Sequence, residues 1–270
     1  MAGEHSRKGI LGHKLTLAYV GTAFSGWQRQ KGRRTVQAVL EEAIQRIWEA
    51  PILVAAAGRT DAGVHALGQV ASFAAPGKLS PEKLVFALNY HLPPDVRVMA
   101  VEWVEPEFHA RFDCRAKTYE YRIWNAPVLD PFEWMRAWHI PHPLELEPMQ
   151  QAASTLVGTH DFGSFASSTG RPVRNTVRTV FSLTLEERRP WIVIRVQADG
   201  FLYHMARKIA AALVRIGKGK LSPLCVQKLL REPRGHTLFG AAPPWGLYFC
   251  HALYPSPEER TRRRDNRPKG

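Results

Sequence analysis

An α+β fold made of two successive halves is what this sequence predicts, on three observations. Short stretches of strict apolar–polar alternation are separated by stretches whose apolar residues fall three and four apart. The order β-α-β-β-α-β occurs twice, once on either side of residues 108 and 109. Gly or Pro punctuates most junctions. With 270 residues, 45% hydrophobic and 23% charged, the chain has a globular composition and enough length for two cores.

In the first half, KLTLAYVGT at 14–22 alternates until Gly21 and Gly26 interrupt it, which predicts a strand. Val39, Leu40, Ala43, Ile44, Ile47 and Trp48 then mark an amphipathic helix from Val36 to about Ala50, with Pro51 beyond it. ILVAAAG at 52–58 and HALGQVASFA at 65–74 read as two short strands joined by GRTDAGVHA at 58–66. Ser80 before Pro81 starts the second helix, as cap and first-turn proline, and VRVMAVEWV at 96–104 closes the half as a strand.

The second half opens on AKTYEYRIW at 116–124, followed by LELEPMQQAASTLVG at 144–158 with helical spacing and Gly158 as its stop. VRTVFSLTLEE and WIVIRVQA are two strands separated by Arg188, Arg189 and Pro190. FLYHMARKIAAALVRIG at 201–217 is a helix, a short helix starts at Ser222-Pro223, and PWGLYFCHALY is the closing strand. Two tandem units of this order predict ferredoxin-like domains at 13–108 and 109–254, with antiparallel sheets flanking a positively charged cleft. Residues 255–270 carry six basic side chains without apolar pattern and are expected to form a disordered basic tail.

A formal charge of +13 points to a polyanionic partner. Cys114, Cys225 and Cys250 are odd in number and far apart, which argues for reduced thiols, against a disulfide framework and against a zinc site. No apolar stretch has the length of a signal peptide or a membrane span, so a soluble protein of the cytoplasm is expected. The eleven histidines form no HExxH pair, and no phosphate-binding glycine loop or GxSxG elbow occurs. Chemistry without metal or cofactor is the expectation.

Asp61, in the link between two strands, sits where a scaffold presents a functional group, although Asp followed by Gly is also an ordinary turn signal. On the strand after residue 115, alternation puts Lys117, Tyr119 and Tyr121 on one face with Arg115, a pairing of cations with π surfaces suited to an unstacked base. The same tyrosines would equally serve a domain interface. Arg207, on the predicted helix at 201–217, is either solvated or a fixed cation that holds a buried aspartate ionised. Arg29, Lys31, Arg33 and Arg34 in one loop, and Arg171, Arg174 and Arg178 in another, can line a track for a phosphate backbone or simply face solvent.

YVGTAFSGWQ, TVQAVLEEAI, GRTDAGVHALGQV, KTYEY, GTHDFGSFASS, ADGFLYHMARKI and APPWGL, in that order from about residue 14 to 252, resemble the A-type tRNA pseudouridine synthases. Val20 stands where that family usually has an acid before Gly-Thr, and Ala206 where a larger aliphatic residue precedes the arginine. The resemblance implies conversion of uridine to pseudouridine at positions 38, 39 and 40 of the tRNA anticodon arm, by base flipping. It implies Asp61 as the catalytic aspartate, acting either by attack on C1′ or as a base in elimination to a glycal. Tyr119 is implied to stack on the target base, Arg207 to partner the carboxylate, Arg59 to fill the space of the extruded nucleotide, and Leu247 to pack near the flipped base. It also implies a homodimer, with one tRNA reaching across both subunits. The rival readings are an RNA-binding protein without catalysis and a synthase for another RNA.

Overall fold

Alternation along the first strand, β1 (Ile10–Tyr19), buries His13, Leu15, Leu17 and Tyr19 on one face. The computed structural model describes residues 9–168, 170, 175–233, 239–256 and 259. It divides into two units, one of Met1–Ala62, Ala66–Arg115 and Ala252–Gly270, the other of Gly63–His65 and Ala116–His251. Arg171, Arg174 and most of the basic tail lie outside the described residues.

In the first unit β1 is followed by α1 (Val36–Trp48), β2 (Ala55–Ala56), β3 (His65–Pro76), α2 (Pro81–His91) and β4 (Val96–Val104). The strands lie in the order β4-β1-β3 with β2 on the far side of β3, all antiparallel. Helix α1 starts where the Thr35 hydroxyl accepts the Ala38 amide at 3.4 Å, and it buries Val36, Leu40, Ala43, Ile44 and Trp48. Ser80 caps α2 in the same way and Pro81 occupies its first turn. The strand expected at 52–58 shrinks to two residues because the buried Glu41 carboxylate, reaching over from α1, accepts the Val54 amide at 3.1 Å.

The second unit holds β5 (Ala116–Trp124), β6 (Trp138–His139), α3 (Leu146–Thr155), β7 (Gly158–Asp161), β8 (Val177–Arg188), β9 (Trp191–Ala198), α4 (Met205–Gly217), α5 (Leu224–Arg231) and β10 (Leu247–Leu253). Its strand order is β10-β5-β9-β8-β7, with β6 beside β5. α3 and α4 pack closely, since a Cβ on Gly217 would lie 2.5 Å from the Met149 sulfur. α4 begins four residues later than its apolar pattern predicts. His204 takes a left-handed conformation, with φ at 64°, and breaks the run before Met205. Gly158, expected to stop α3, instead opens β7 at a φ of 115°.

Candidate active site

The loop after β2 is held by its backbone. Thr60 is buried, and its carbonyl accepts the Trp27 amide at 3.0 Å. The Thr60 hydroxyl bonds the Tyr19 hydroxyl at 2.8 Å, and the Gln69 side-chain amide donates to the Gly58 carbonyl at 2.8 Å. Burial pushes the Tyr19 hydroxyl up to about 12, against the opposing pull of Thr60 and Gln69, so it remains a protonated, neutral anchor. Gly26 completes the clamp. Its φ is +90°, and an added Cβ would stand 2.7 Å from the Thr60 carbonyl oxygen. The residues on either side of buried Thr60 differ from it: Arg59 is exposed and Asp61 half-buried.

A second pinned turn lies in the other unit, after α5. Arg207, half-buried in the first turn of α4, donates from Nε to the Ala242 carbonyl at 2.8 Å, and the Ala242 amide returns a bond to the Arg207 carbonyl at 3.1 Å. A short 3₁₀ turn, Pro244–Gly246, leads from there to buried Leu247 at the start of β10. Tyr119, on β5, is only 6% exposed, with Phe201 and Phe249 edge-on to its ring at centroid distances of 4.8 and 5.1 Å. Tyr121, two residues on, is buried and donates its hydroxyl to the Pro243 carbonyl at 2.8 Å. Burial raises that hydroxyl well above the usual tyrosine range, with the nearby Arg207 charge pulling the other way. It is therefore a proton donor at any physiological pH.

The structure thus brings Tyr121, Arg207 and the turn leading to Leu247 together within one unit, and sets Asp61 and Arg59 on a pinned loop of the other. Tyr19 and Gln69 are anchors that sequence reasoning passed over, and Tyr121, read there as a π surface, serves here as an anchor through its hydroxyl. A buried glutamine, in the GQV of β3, was an available signal. His65 is fully engaged. Its Nε2 lies 3.0 Å from the Met135 carbonyl and 3.1 Å from the Trp245 carbonyl, so that nitrogen carries the proton, and its ring stacks on Tyr248. Burial holds its pKa below the usual histidine value, the two backbone bonds opposing.

The cations expected to form a phosphate track divide into two groups. Arg29 bonds Glu41 at 2.8 Å, and Arg34 grips Asp95 at 2.7 and 2.8 Å while lying over Phe24. Arg178 donates to the Asn175 and Val177 carbonyls. Lys31 and Arg33, on either side of Gly32 at a φ of +69°, are exposed on the rim of an open pocket. Among the described residues no three His, Cys, Asp or Glu side chains are grouped to hold a metal ion, and no helix is long and apolar enough to cross a membrane.

The family profile described as tRNA pseudouridine synthase matches residues 16–113 and 152–255, more than half of the chain. A tRNA pseudouridine synthase A of Methylacidiphilum infernorum is 52% identical over 250 residues, covering 93% of this chain and 98% of that protein. One of the same name from Thermoanaerobacter sp. is 42% identical over 241 residues, covering 89% and 98%. The one from Bacillus licheniformis is 40% identical over 243 residues, covering 89% and 98%.

Proposed function

The chain belongs to the tRNA pseudouridine synthase family and is an isomerase acting on uridine in tRNA; from that premise we propose that Asp61 is its catalytic carboxylate. The reaction breaks the C1′–N1 bond, turns the uracil and joins C5 to C1′, while C5 loses a proton and N1 gains one. Asp61 reaches the ribose side of the flipped nucleotide, either attacking C1′ or taking a proton in a glycal route. Arg207 is the cation that orients that carboxylate. Tyr119 supplies the aromatic surface for the base and Leu247 packs beside it, while Arg59 enters the space the nucleotide vacates. Flipping costs a few kcal/mol of unstacking, which these contacts offset.

The observation that carries the reading is the fixation of the GRTDAGVHA loop through Thr60 and Gly58, which leaves Arg59 and Asp61 as its solvent-accessible charged side chains. A loop held to a fixed position is what in-place chemistry requires, because small displacements of a reacting group are expensive. A mere RNA clamp needs no such precision. Further parts of the proposal come from the family: uridines 38, 39 and 40 of the anticodon arm as targets, a homodimer, and a cytoplasmic location. Strand orders β4-β1-β3-β2 and β10-β5-β9-β8 support two tandem ferredoxin-like units. Exposed Lys31 and Arg33, with a net charge of +13, support a phosphate-backbone track.

The test is to incubate unmodified tRNA transcripts with wild type and Asp61→Asn, then map pseudouridine. Wild type should modify the anticodon arm. The variant should bind tRNA normally and form no pseudouridine. Activity within about tenfold of wild type would remove Asp61 from the role, since loss of the reacting group costs far more than that.

A further inference from the structure

Three side chains from three places in the chain donate to three carbonyls of one short turn. Arg207 Nε takes Ala242, the Tyr121 hydroxyl takes Pro243 and His65 Nε2 takes Trp245, at 2.8, 2.8 and 3.1 Å. Ala242 and Pro243 are neighbours, so the first two acceptors belong to successive planar peptide units that meet at the Pro243 Cα, where the proline ring fixes φ and the following Pro244 restricts ψ. Pro243, with φ at −51°, and Pro244 remove the softest torsions from this stretch. A displacement at the Pro243 carbonyl therefore passes to the Ala242 carbonyl instead of being absorbed between them.

The height of the turn over Tyr121 is also set. A Cβ on Gly246 would stand 2.7 to 2.9 Å from Cζ, Cε1 and the hydroxyl oxygen of Tyr121, so the backbone lies directly on the ring. The phenol thus holds the turn twice, by contact beneath Gly246 and by a hydrogen bond to Pro243. On the other side of the same turn, Ala242 takes the Nε–H of Arg207, and a guanidinium with its Nε committed has the direction of its plane decided. For a planar group that must meet a carboxylate edge-on, that direction matters more than the charge itself.

We propose that Tyr121 is a positioning residue for uridine isomerisation: its hydroxyl fixes the 242–246 turn, and the turn fixes the guanidinium of Arg207. The inference rests on the reading of Arg207 as the partner of Asp61. Tyr121 touches no reacting atom. It acts through two peptide carbonyls, and a phenylalanine at its position keeps the ring under Gly246 while losing the bond to Pro243.

Tyr121→Phe, Arg207→Lys, the double variant and Asp61→Asn are compared with wild type on unmodified tRNA transcripts under single-turnover conditions across pH, with tRNA affinity measured alongside. Exchange of the Arg207 Nε proton, followed by NMR, reports the clamp without reference to Asp61. Tyr121→Phe should lower the single-turnover rate about tenfold, the scale of a misplaced reacting partner, with tRNA affinity unchanged within about twofold. The acid limb of its pH–rate profile should move to higher pH, and the double variant should lose little more than Arg207→Lys alone. Exchange at Arg207 Nε should quicken about tenfold, as expected for the loss of one neutral hydrogen bond in the clamp. Unchanged exchange, an unchanged profile, or a loss confined to thermal stability overturns the proposal. Quickened exchange together with an active Asp61→Asn overturns the catalytic reading itself, and with it the claim that the clamp serves isomerisation.

Discussion

The loop that carries Asp61 and the turn beside Arg207 are both pinned by hydrogen bonds from elsewhere in the chain, by different chemistry. Neutral groups hold the loop: the Tyr19 hydroxyl, the Gln69 amide and the Trp27 main-chain amide. The turn is held by a cation, a phenol and an imidazole. Where a carboxylate is to be presented, neutral anchors fix the backbone and leave its electrostatics alone. Where a cation is to be aimed, the cation is itself one of the anchors, so position and charge cannot be altered separately. Loss of an anchor on the loop should change geometry alone. Loss of an anchor on the turn should change geometry and the pH dependence of the reaction together.

The sharpest way to break this comparison is a matched pair of glycine substitutions. Gly26→Ala drives a Cβ into the Thr60 carbonyl at a φ of +90°, and Gly246→Ala drives one into the Tyr121 ring. Each should lower the single-turnover rate about a hundredfold, as expected for a displacement near 1 Å. Only Gly246→Ala should move the acid limb of the profile. Matching shifts in both variants would erase the distinction between the two anchors.

A smaller effect is expected from the neutral anchors themselves. Gln69→Met keeps the bulk and removes the donor to Gly58. A buried acceptor left without its donor costs about 1–3 kcal/mol, and the half-buried Gly58 carbonyl less, so melting temperature should fall modestly. The rate should fall with it while the pH profile keeps its shape. A displaced profile would mean that this loop's electrostatics depend on its anchors after all.

Stability against acid separates the units by their buried histidines and gives the smallest effect. Burial holds His13, in the first unit, and His65, in the second, below the ordinary histidine pKa of 6.5. The unfolded chain therefore takes up protons first as pH falls. These residues cost nothing above about pH 6.5, and stability drains away as pH drops from there towards their folded values. His13 stacks on Phe73, bonds the Leu11 carbonyl through Nδ1, and has no partner for Nε2 among the described residues. His13→Phe should flatten the loss of melting temperature between about pH 7 and 5.5, with stability at neutral pH within about 1 kcal/mol of wild type. A steeper loss in the variant would mean that His13 is held above the ordinary value and stabilises the fold in acid.

Most strands were legible because alternation is a local signal: β4, β5, β8 and β9 lie where the pattern predicts, while β1 starts four residues earlier and ends three earlier than the predicted 14–22. What eluded sequence reasoning depends on residues far apart in the chain. β2 is short because Glu41, 13 residues away, takes the Val54 amide. Arg34 looked like part of a phosphate track, yet it is paired with Asp95, 61 residues on. That pair is partly exposed and worth at most about 1 kcal/mol, but it redirects the side chain. Asp61 stood out by its motif. Tyr19 and Gln69 did not, and Tyr121 was read only for its ring, because each is an ordinary strand residue until its hydroxyl or amide meets a carbonyl or hydroxyl on another element. The late start of α4 was likewise hidden, since nothing in FLYH marks His204 as left-handed.

As proposed, Asp61 works as a carboxylate directed by Arg207. Single-turnover pH–rate profiles of wild type, Arg207→Ala and Arg207→Lys test it most directly. Arg207→Ala should lose most of its rate, and the acid limb of its profile should lie at higher pH than that of wild type. Arg207→Lys should restore less than its charge alone would supply, because an ammonium cannot make the two-pronged contact or hold the Ala242 carbonyl in the same plane. Three superimposable profiles would mean that Arg207 only anchors its turn and that Asp61, if it acts at all, acts without it.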